Sequence, residues 1–361
     1  LHCLAAAGVW LALSGVALST AQASPRLLGQ PPPAVATDPA HEIGDWLDWG
    51  PLTLRTHAAL YRPRLALLPG RIDILPPGRV EVTLAFSHSN AWGQRPTYLL
   101  DGEFTRAELR IHVGLGEGFE VGGVLTLAGR GGGFLDSFIE GFHDLFGITQ
   151  ARRDLYPRNR LRLELDPTRS GTFDVILSDA QAGVGLANPV LLIKREIIAP
   201  LGWRPALVVE AGVKLPVGNV REQFASKSWA TMLNVGLRQP LAFLGGVQLF
   251  LQGGVVFTPA NRQVYGINVH DVQGALLVGF EIRLARELTF VAHWLTQTGP
   301  AQAEAFNPQN EGTHEFLAGF KWAPTGRQDV VLELGLIENS IHDANTPDFG
   351  LHAALRIRLA P

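Results

Sequence analysis

Four residues that could bind a cation or take part in acid–base chemistry lie close together between Gly131 and Gly147. They are Asp136, Glu140, His143 and Asp144. Side chains three and four residues apart share one face of an α-helix, so three carboxylates and an imidazole could meet around a divalent cation. The polar side of an amphipathic helix has the same composition, and we favour this second interpretation. The sequence therefore predicts no metal site and no other cofactor.

A hydrolytic site would need a nucleophile and an acid beside His143. Ser137 or another serine could supply the hydroxyl, but no Gly-x-Ser-x-Gly motif occurs in the chain. Asp144 adjoins His143 in sequence on a different part of the helix, which does not suit a triad. We therefore assign no catalytic residue. A lipid-acting enzyme that uses the acidic and histidine face stays open as an alternative function.

The segment that carries these residues also has an apolar face. At about 100° per residue, its large apolar side chains fall on one arc of a helix. They are Phe134, Leu135, Phe138, Ile139, Phe142, Leu145 and Phe146. The segment begins after a glycine run and ends at Gly147, and glycine is favoured just beyond a helix C-terminus. The pattern predicts an amphipathic helix of about three turns over residues 131–147.

The rest of the chain is organised in strands. Val80, Val82, Leu84 and Phe86 alternate with polar or small residues, and the same period of two recurs to the end of the sequence. Such alternation is typical of strands with one apolar face. About fourteen strand segments can be marked, among them 159–166, 172–178 and 183–198. The faintest are 172–178 and the beginning of 183–198, and twelve strands remain if this pair is excluded.

The connections between these segments mostly alternate between short and long. A soluble sandwich has no reason to collect its long loops at one end, whereas an outer-membrane barrel has short periplasmic turns and longer external loops. Strands of about ten residues tilted by ~45° also have the length that crosses a bilayer core. We therefore predict an all-β protein, a transmembrane antiparallel up-and-down β-barrel of about fourteen strands, with the amphipathic helix in a long external loop.

The alternation also predicts which side chains face the lumen. The charged and imidazole residues of the inward rows include Arg110, His112, Glu281, Arg283, Arg356 and Arg358. Charges of both signs are mixed in these rows, so strong selectivity for cations or anions is not implied. The pattern leaves open whether the lumen is open or plugged.

Composition limits the partners and the location of the protein. The 361-residue chain has a formal net charge of −3, and nucleic-acid binding would need a basic patch or stripe. Residues 4–18 form an apolar run that precedes the small-x-small motif Ala21-Gln22-Ala23, so residues 1–23 are predicted to be a cleaved signal peptide. Residues 24–77 are predicted to be a proline-rich periplasmic or lumenal segment, and residues 78–361 the barrel in the bacterial outer membrane.

Several of these stretches resemble a known family. Gly132-Gly133-Phe134-Leu135-Asp136, followed by Phe138-Ile139-Glu140, His143-Asp144 and Phe146-Gly147, is similar to the central signature of the domain-of-unknown-function 3187 family. Gly50-Pro51-Leu52 and Leu100-Asp101-Gly102-Glu103 resemble the N-terminal half of the same family. The resemblance runs from about Trp49 to the end of the barrel. It implies an uncharacterised bacterial outer-membrane barrel and supplies no ligand or catalytic residue.

These patterns favour a passive channel, transport barrel or structural barrel that the helix at 131–147 partly closes. The residues assigned to a ligand-binding or gating loop are Asp136, Glu140, His143, Asp144, Arg152 and Arg153. The expected partners are outer-membrane lipid, lipopolysaccharide, whose phosphates suit guanidinium groups, and a small-molecule permeant. The apolar face of the helix is expected at the outer leaflet or the barrel mouth, and the acidic face in water or on a divalent cation.

Overall fold

The computed structural model describes residues 50–147, 152–166, 174–201, 203–258, 263–264, 267–299, 312–324, 329–339 and 346–359. All of them belong to one compact unit, which spans Pro39–Pro361. The predicted signal peptide at 1–23 and the beginning of the proline-rich segment lie outside the described residues.

The segments with period-two alternation form antiparallel strands, most of them long. Their bounds are β1 Val80–Arg95, β2 Tyr98–Gly116, β3 Phe119–Gly131, β4 Arg162–Leu165, β5 Asp174–Leu177, β6 Gly183–Leu186, β7 Val190–Ile198, β8 Ala206–Lys214, β9 Ala230–Leu241, β10 Val247–Phe257, β11 Gln263–Val264, β12 Ile267–Asn268, β13 Val272–Arg283, β14 Leu288–Gln297, β15 Thr313–Trp322, β16 Val330–Asn339 and β17 Phe349–Leu359. One α-helix, α1, spans Asp136–Phe146. Short 3₁₀ turns occupy Ala59–Tyr61, Arg153–Leu155, Asp179–Gln181 and Ala242–Leu244.

Twelve of these strands form a closed barrel wall. The wall runs β1-β2-β3-β7-β8-β9-β10-β13-β14-β15-β16-β17 and closes where β1 pairs with β17, from Val80↔Leu359 to Asn90↔Phe349. Closure leaves no unpaired sheet edge in the wall, which a bilayer core requires. The all-β barrel prediction is confirmed, and the lower of the two predicted strand numbers is the one observed.

The two predicted strands that do not join the wall are 159–166 and 172–178. They contain β4 and β5, which are four residues each and cannot cross a bilayer core that needs about nine to eleven strand residues. β4 instead pairs with the beginning of β2, and β5 pairs with β4. The beginning of 183–198 is the separate short strand β6 on the end of β3, while β7 joins the wall.

Side chains alternate between the two sides of the wall as the sequence predicts. On β1, Leu84 and Phe86 are more than half exposed on the outer side, whereas Glu81, Thr83 and Ser87 are buried on the lumen side. Short connections such as Glu117–Gly118 lie at one end of the barrel, the short-turn end. The connection that carries α1 lies at the other, the long-loop end.

Residues 50–77 fill the lumen, and we call this segment the finger. Its prolines break regular structure, so the described part contains only the 3₁₀ turn Ala59–Tyr61. The finger rises from Gly50, whose carbonyl oxygen accepts a hydrogen bond from Lys321 near the short-turn end of β15. At the long-loop end, Arg64 donates to the His270 carbonyl oxygen at 2.7 Å, and the chain then descends to β1. Residues 50–77 thus lie in the lumen, and the rest of the predicted segment 24–77 lies outside the described residues.

An apolar cluster covers the tip of the finger at the long-loop end. Ala59 and Leu60 of the finger pack there against residues from the projecting ends of β1 and β2 and from β4 and β5. The cluster includes Ala91, Tyr98, Leu100, Phe104, Leu163, Leu165 and Leu177. The β1–β2 extension, defined as residues 90–104, thus forms part of a lid over the finger tip.

No helix in the described ranges is long and apolar enough to span a membrane.

The pairing of β3 with β7 distinguishes a twelve-stranded wall from a fourteen-stranded one. Val124 and Val190 are register partners and both face the lumen. Cys3, the cysteine already present in the sequence, is first replaced by serine. In this background the double variant Val124→Cys/Val190→Cys should form a disulfide on mild oxidation, because directly opposed Cβ atoms lie ~4.5–5.5 Å apart. The measurement is a reductant-sensitive shift in gel mobility after boiling.

The matched control is Val124→Cys/Leu191→Cys, in which Leu191 points to the outer side of the wall. This pair should stay reduced under the same conditions. Equal cross-linking in both pairs, or in neither, would contradict the twelve-stranded register.

Candidate functional site: a filled lumen and a latched rim

Arg71 holds the finger at the short-turn end of the lumen. Its Nε lies 3.0 Å from Glu81 Oε1 and its Nη2 lies 2.8 Å from Glu120 Oε2, and its third nitrogen pairs with Asp73. Lys194 Nζ lies 3.3 Å from the second Glu120 oxygen. All these groups are buried, so the finger and the wall neutralise each other in a site with little water. The surrounding carboxylates raise the pKa of Arg71 although its burial acts in the opposite direction.

A second charged level lies halfway up the lumen. Glu108 of β2 accepts hydrogen bonds from Arg55 of the finger at 3.0 Å and from Arg110 at 2.6 Å. Arg110 also donates to the Pro69 and Thr53 carbonyl oxygens of the finger, both at 2.7 Å. Arg110 therefore contacts the rising and the descending halves of the finger at once.

Glu333 of β16, three strands from β2 around the wall, makes a similar contact with the finger. Its Oε2 accepts hydrogen bonds from the Thr53 backbone N–H at 2.9 Å and the Thr53 hydroxyl at 2.8 Å. The other oxygen accepts from Arg356, and His352 Nε2 lies 3.5 Å from Oε2. Glu333 thus satisfies a finger residue and a wall cation together.

Near the tip, His57 sits between two serines of β1. Its Nδ1 lies 2.7 Å from Ser89 Oγ and its Nε2 lies 2.7 Å from Ser87 Oγ. Burial, and then the nearby Arg106 charge, lower the pKa of His57 well below its ordinary value. A neutral ring suits these two contacts, because one of its nitrogens can donate to a serine hydroxyl while the other accepts from one.

The opposite side of the finger is apolar. Leu52, Leu54, Leu67 and Ile72 pack against inward-facing residues of strands β8 to β16. These partners are Val208, Phe250, Leu277, Val291, Leu295, Leu317 and Ile337. The finger therefore contacts a charged wall, centred on β1, β2 and β3, and an apolar wall formed by these residues, whose strands also carry buried charged residues such as Glu281, Glu315 and Lys321.

Two small cavities lie between the finger and the wall within the described residues. A cavity of 30 Å³ lies near Arg71, Glu81 and Lys194. Another of 10 Å³ lies near Arg62 and Phe104. The larger has room for only a few water molecules, so neither is a passage for a solute.

The rim of the barrel carries a second set of buried contacts, which we call the rim latch. Asp136, at the beginning of α1, lies 2.9 Å from Asn90 Nδ2 and 3.0 Å from Arg153 Nη1. Its second oxygen accepts from the Asn159 backbone N–H at 2.7 Å. Arg153 extends the set to Asn90 Oδ1 at 2.8 Å and to Asp348 at 2.6 Å. The latch ties α1 and the chain after it to β1 and to the residue before β17.

Glu103 of β2 completes the rim latch. Its carboxylate lies 2.6 Å from His88 Nε2 and accepts a hydrogen bond from the Leu135 backbone N–H. Gly133 passes directly over this carboxylate with a φ of +69°. A Cβ atom at Gly133 would overlap the Glu103 carboxylate, so glycine is required at this position by the close approach.

The orientation of α1 is opposite to that of a helix whose apolar face packs on the protein. Leu135, Asp136, Ile139, Glu140 and His143 are buried against the barrel. Phe134, Phe138 and Leu145 are 69%, 54% and 78% exposed. The prediction that the acidic face lies in water or on a cation is wrong for Asp136, Glu140 and His143, because the packing of α1 on the barrel buries all three. Arg153 pairs with Asp136 there, and Arg158 pairs with Glu140.

The other loop residues have separate positions. Glu140 pairs with Arg158, Asp144 and Arg152 are exposed, and Arg153 is the buried centre of the latch. Within the described ranges, no set of three or more His, Cys, Asp or Glu side chains is arranged to hold a metal ion. α1 also does not fill the lumen. In the described residues the finger fills it, so the prediction that residues 131–147 partly close the lumen is corrected accordingly.

The predicted lumen-lining residues lie on the inward rows. Arg110 and Arg356 are described above, and His112 Nδ1 lies 2.9 Å from Glu120 Oε1. Arg358 Nε lies 2.8 Å from Glu81 Oε2, and Glu281 lies 3.6 Å from Lys321 Nζ. Arg283 is half-buried at the short-turn end. Their assigned role in passage of a solute stays a prediction.

Sequence reasoning missed the finger residues that make most of these contacts. Arg55, Arg71, Thr53 and His57 lie in a proline-rich stretch without a period, where no face can be assigned. The available signal was composition, because arginines recur among leucines there without the matching acids. Those acids stand on the inward rows of the strands.

Two glycines of the α1 segment provide a direct test of the rim latch. Gly133→Ala should loosen it, because it places a Cβ against Glu103 and costs a further ~1–2 kcal/mol for a left-handed alanine. Trypsin cleavage after Arg152 or Arg153 should then be roughly tenfold faster or more, since ~1.4 kcal/mol corresponds to a factor of ten.

Gly141→Ala is the matched control, because nothing lies within 4 Å of the position that its methyl group would take and alanine favours a helix. Cleavage should be unchanged or slower in this variant. Similar cleavage rates for both variants would show that the close approach at Gly133 does not hold the latch.

Comparison with known proteins identifies the fold and the family. The outer-membrane channel COG4313 from Pseudomonas putida F1 superposes with a TM-score of 0.55 and 13% identity, covering 81% of this chain and 100% of that one. The NanC porin superposes with a TM-score of 0.42 and 6% identity, covering 78% of this chain and 100% of the porin. A comparison with curated proteins found no match.

The likeness to the channel from Pseudomonas putida F1 is one of fold: a closed barrel of the outer-membrane type. A family profile described as "protein of unknown function (DUF3187)" matches residues 35–359, which include the finger, the wall and the rim latch. The chain belongs to the DUF3187 family.

Proposed function

We propose that this protein is an outer-membrane channel for a small molecule, closed at rest by the finger. The observation that carries the proposal is the path of the finger, whose two ends, near Gly50 and Pro77, both lie at the short-turn end. A hairpin-shaped segment can leave a lumen without opening the wall. By the usual orientation of such barrels, the short-turn end faces the periplasm.

The contacts of the finger fit a reversible closure. The ion pairs of Arg71 and Arg55 with the wall, and the hydrogen bonds from Arg110 to finger carbonyl oxygens, form only while the finger is inside, and water would solvate the same groups after it leaves. The apolar residues around Leu277 and Leu317 and the charged wall would then both line the open lumen. A permeant with an apolar body and a polar group would match these two surfaces.

The fold supports the same proposal. The barrel from Pseudomonas putida F1 that shares it is an outer-membrane channel. The alternative of a lipid-acting enzyme draws no support from the described geometry, because Asp136, Glu140 and His143 are buried in the contact between α1 and the barrel. A purely structural barrel remains the other outcome of the test below.

Planar-bilayer recording tests the proposal. Removal of residues 50–77 should give steady conductance, whereas the full chain should be closed for most of the time. Arg71→Met should raise the open fraction roughly a hundredfold or more, because a buried charge left without its partner costs about 3 kcal/mol or more. Each variant is first checked for heat-modifiable migration on a gel, which a folded barrel shows.

Arg79→Met is the matched control. Arg79 pairs with Asp329 at 3.6 Å on the surface of the short-turn end, where ion pairs contribute little. Its open fraction should equal that of the full chain. Folded variants that never conduct, with or without the finger, would contradict the channel and favour a structural barrel.

A further inference from the structure

Three large apolar side chains, two on α1 and one just before it, point away from the protein. Phe134, Phe138 and Leu145 are all more than half exposed and lie along one side of the helix. A soluble protein seldom exposes a contiguous apolar patch of this kind without a partner. The question is what covers them.

The patch is continuous with the outer surface of the barrel wall. The Phe134 ring stacks on His88, which belongs to the outward row of β1 that also holds Leu84 and Phe86. The Phe138 ring lies 5.4 Å from Phe349, the first outward residue of β17. The lipid-facing surface of these strands therefore extends without a break onto α1.

The height of α1 on the barrel is set by the strands beneath it. From Val80 to Asn90, β1 rises by ten residues, which at ~3.4 Å per residue and a tilt of ~40° amounts to roughly 25 Å. The apolar band of an outer-membrane barrel has about this height. Above this apolar band the outward rows become polar. Asn90 and Glu103 are register partners there, and the register partners of Phe349 are Asn90 and Glu338.

α1 covers that polar border. His88, Asn90 and Glu103 lie beneath the helix and are satisfied within the rim latch. In their place the helix presents phenylalanine and leucine side chains to the outside. Polar groups at the edge of the apolar band are thus sealed from hydrocarbon by a helix with an apolar outer side.

The exposed residues of α1 also divide into two sides. Ser137 and Asp144 are exposed on one side, and Phe138 with the half-buried Phe142 lie on the other. A helix at a membrane interface has this arrangement, with one side in water and one among the acyl chains. Here a third side, through Leu135 and Ile139, packs on the protein.

We propose that α1 is an interfacial helix whose Phe134, Phe138 and Leu145 side chains lie among the acyl chains of the outer leaflet around the barrel. The occupant of the patch is bilayer lipid, bound through its hydrocarbon chains. Charge recognition is a poorer explanation, because Arg153, Arg158 and Arg162 each pair with a carboxylate. The inference is independent of the channel function.

Spin-label accessibility tests this placement. In a Cys3→Ser background, nitroxide labels at Phe138→Cys and Leu145→Cys are compared with labels at Ser137→Cys and Asp144→Cys on the same helix. The full chain is reconstituted into phosphatidylcholine–phosphatidylglycerol vesicles. Collision with oxygen should exceed collision with a water-soluble nickel chelate at 138 and 145, and the order should be reversed at 137 and 144.

Two results would overturn the proposal. If the nickel chelate reaches all four positions equally, the patch faces water. If positions 138 and 145 are shielded from both reagents, protein covers the patch, and loss of label–label broadening on dilution with unlabelled chain would identify a second copy of this chain.

A measurement on the unaltered protein covers the case in which a cysteine variant does not fold. Phosphatidylcholine with a photoactivatable diazirine in its acyl chain is added to vesicles that contain the wild-type chain. The peptide that contains residues 134–145 should be cross-linked as readily as the outward residues of β1. Absence of cross-links in this peptide, when β1 is labelled, would contradict the insertion of α1.

Discussion

The structure depends on a supply of positive charge to carboxylates that the wall buries inside the lumen. Glu81, Glu108 and Glu120 face inward on β1, β2 and β3, and each is almost wholly removed from solvent. A buried carboxylate is costly unless a cation and hydrogen bonds accompany it. Arg71 and Arg55 of the finger supply part of that charge, and Arg110, Lys194 and Arg358 of the wall supply the rest. Burial of these charges is therefore less costly when the finger and the charged wall are in contact than when either is buried alone.

The apolar wall adds a different kind of stabilisation. Leu54 and Leu67 of the finger pack against residues such as Leu277 and Leu317, and burial of apolar area stabilises at roughly 25 cal/mol per Å² without directional demands. The charge pairs then fix the position of the finger within this contact, since each has one geometry that satisfies it. A lumen with one charged and one apolar wall can in this way hold a segment that has no regular secondary structure.

Local patterns in the sequence predicted the wall well and the docked segments poorly. Inward placement of Arg110, Glu281 and Arg356 follows from the period of two, which is a property of the strand itself. The direction of α1 does not follow from its own pattern, because the outside of this barrel is also apolar and the polar residues Asn90 and Glu103 lie far away in the sequence. The finger has no period, so its place in the lumen depended on charges carried by distant strands.

The β1–β2 extension connects the two docked segments. Its lumen side provides Leu100 and Phe104, which pack on the finger tip at Leu60. Its outer side provides Asn90 and Glu103, which hold α1. Because side chains alternate along a strand, one short stretch of β1 and β2 contacts the finger through one row of side chains and belongs to the rim latch through the other. A displacement of these two strands would therefore act on both contacts at once, which gives the long-loop end a physical means of influencing the finger.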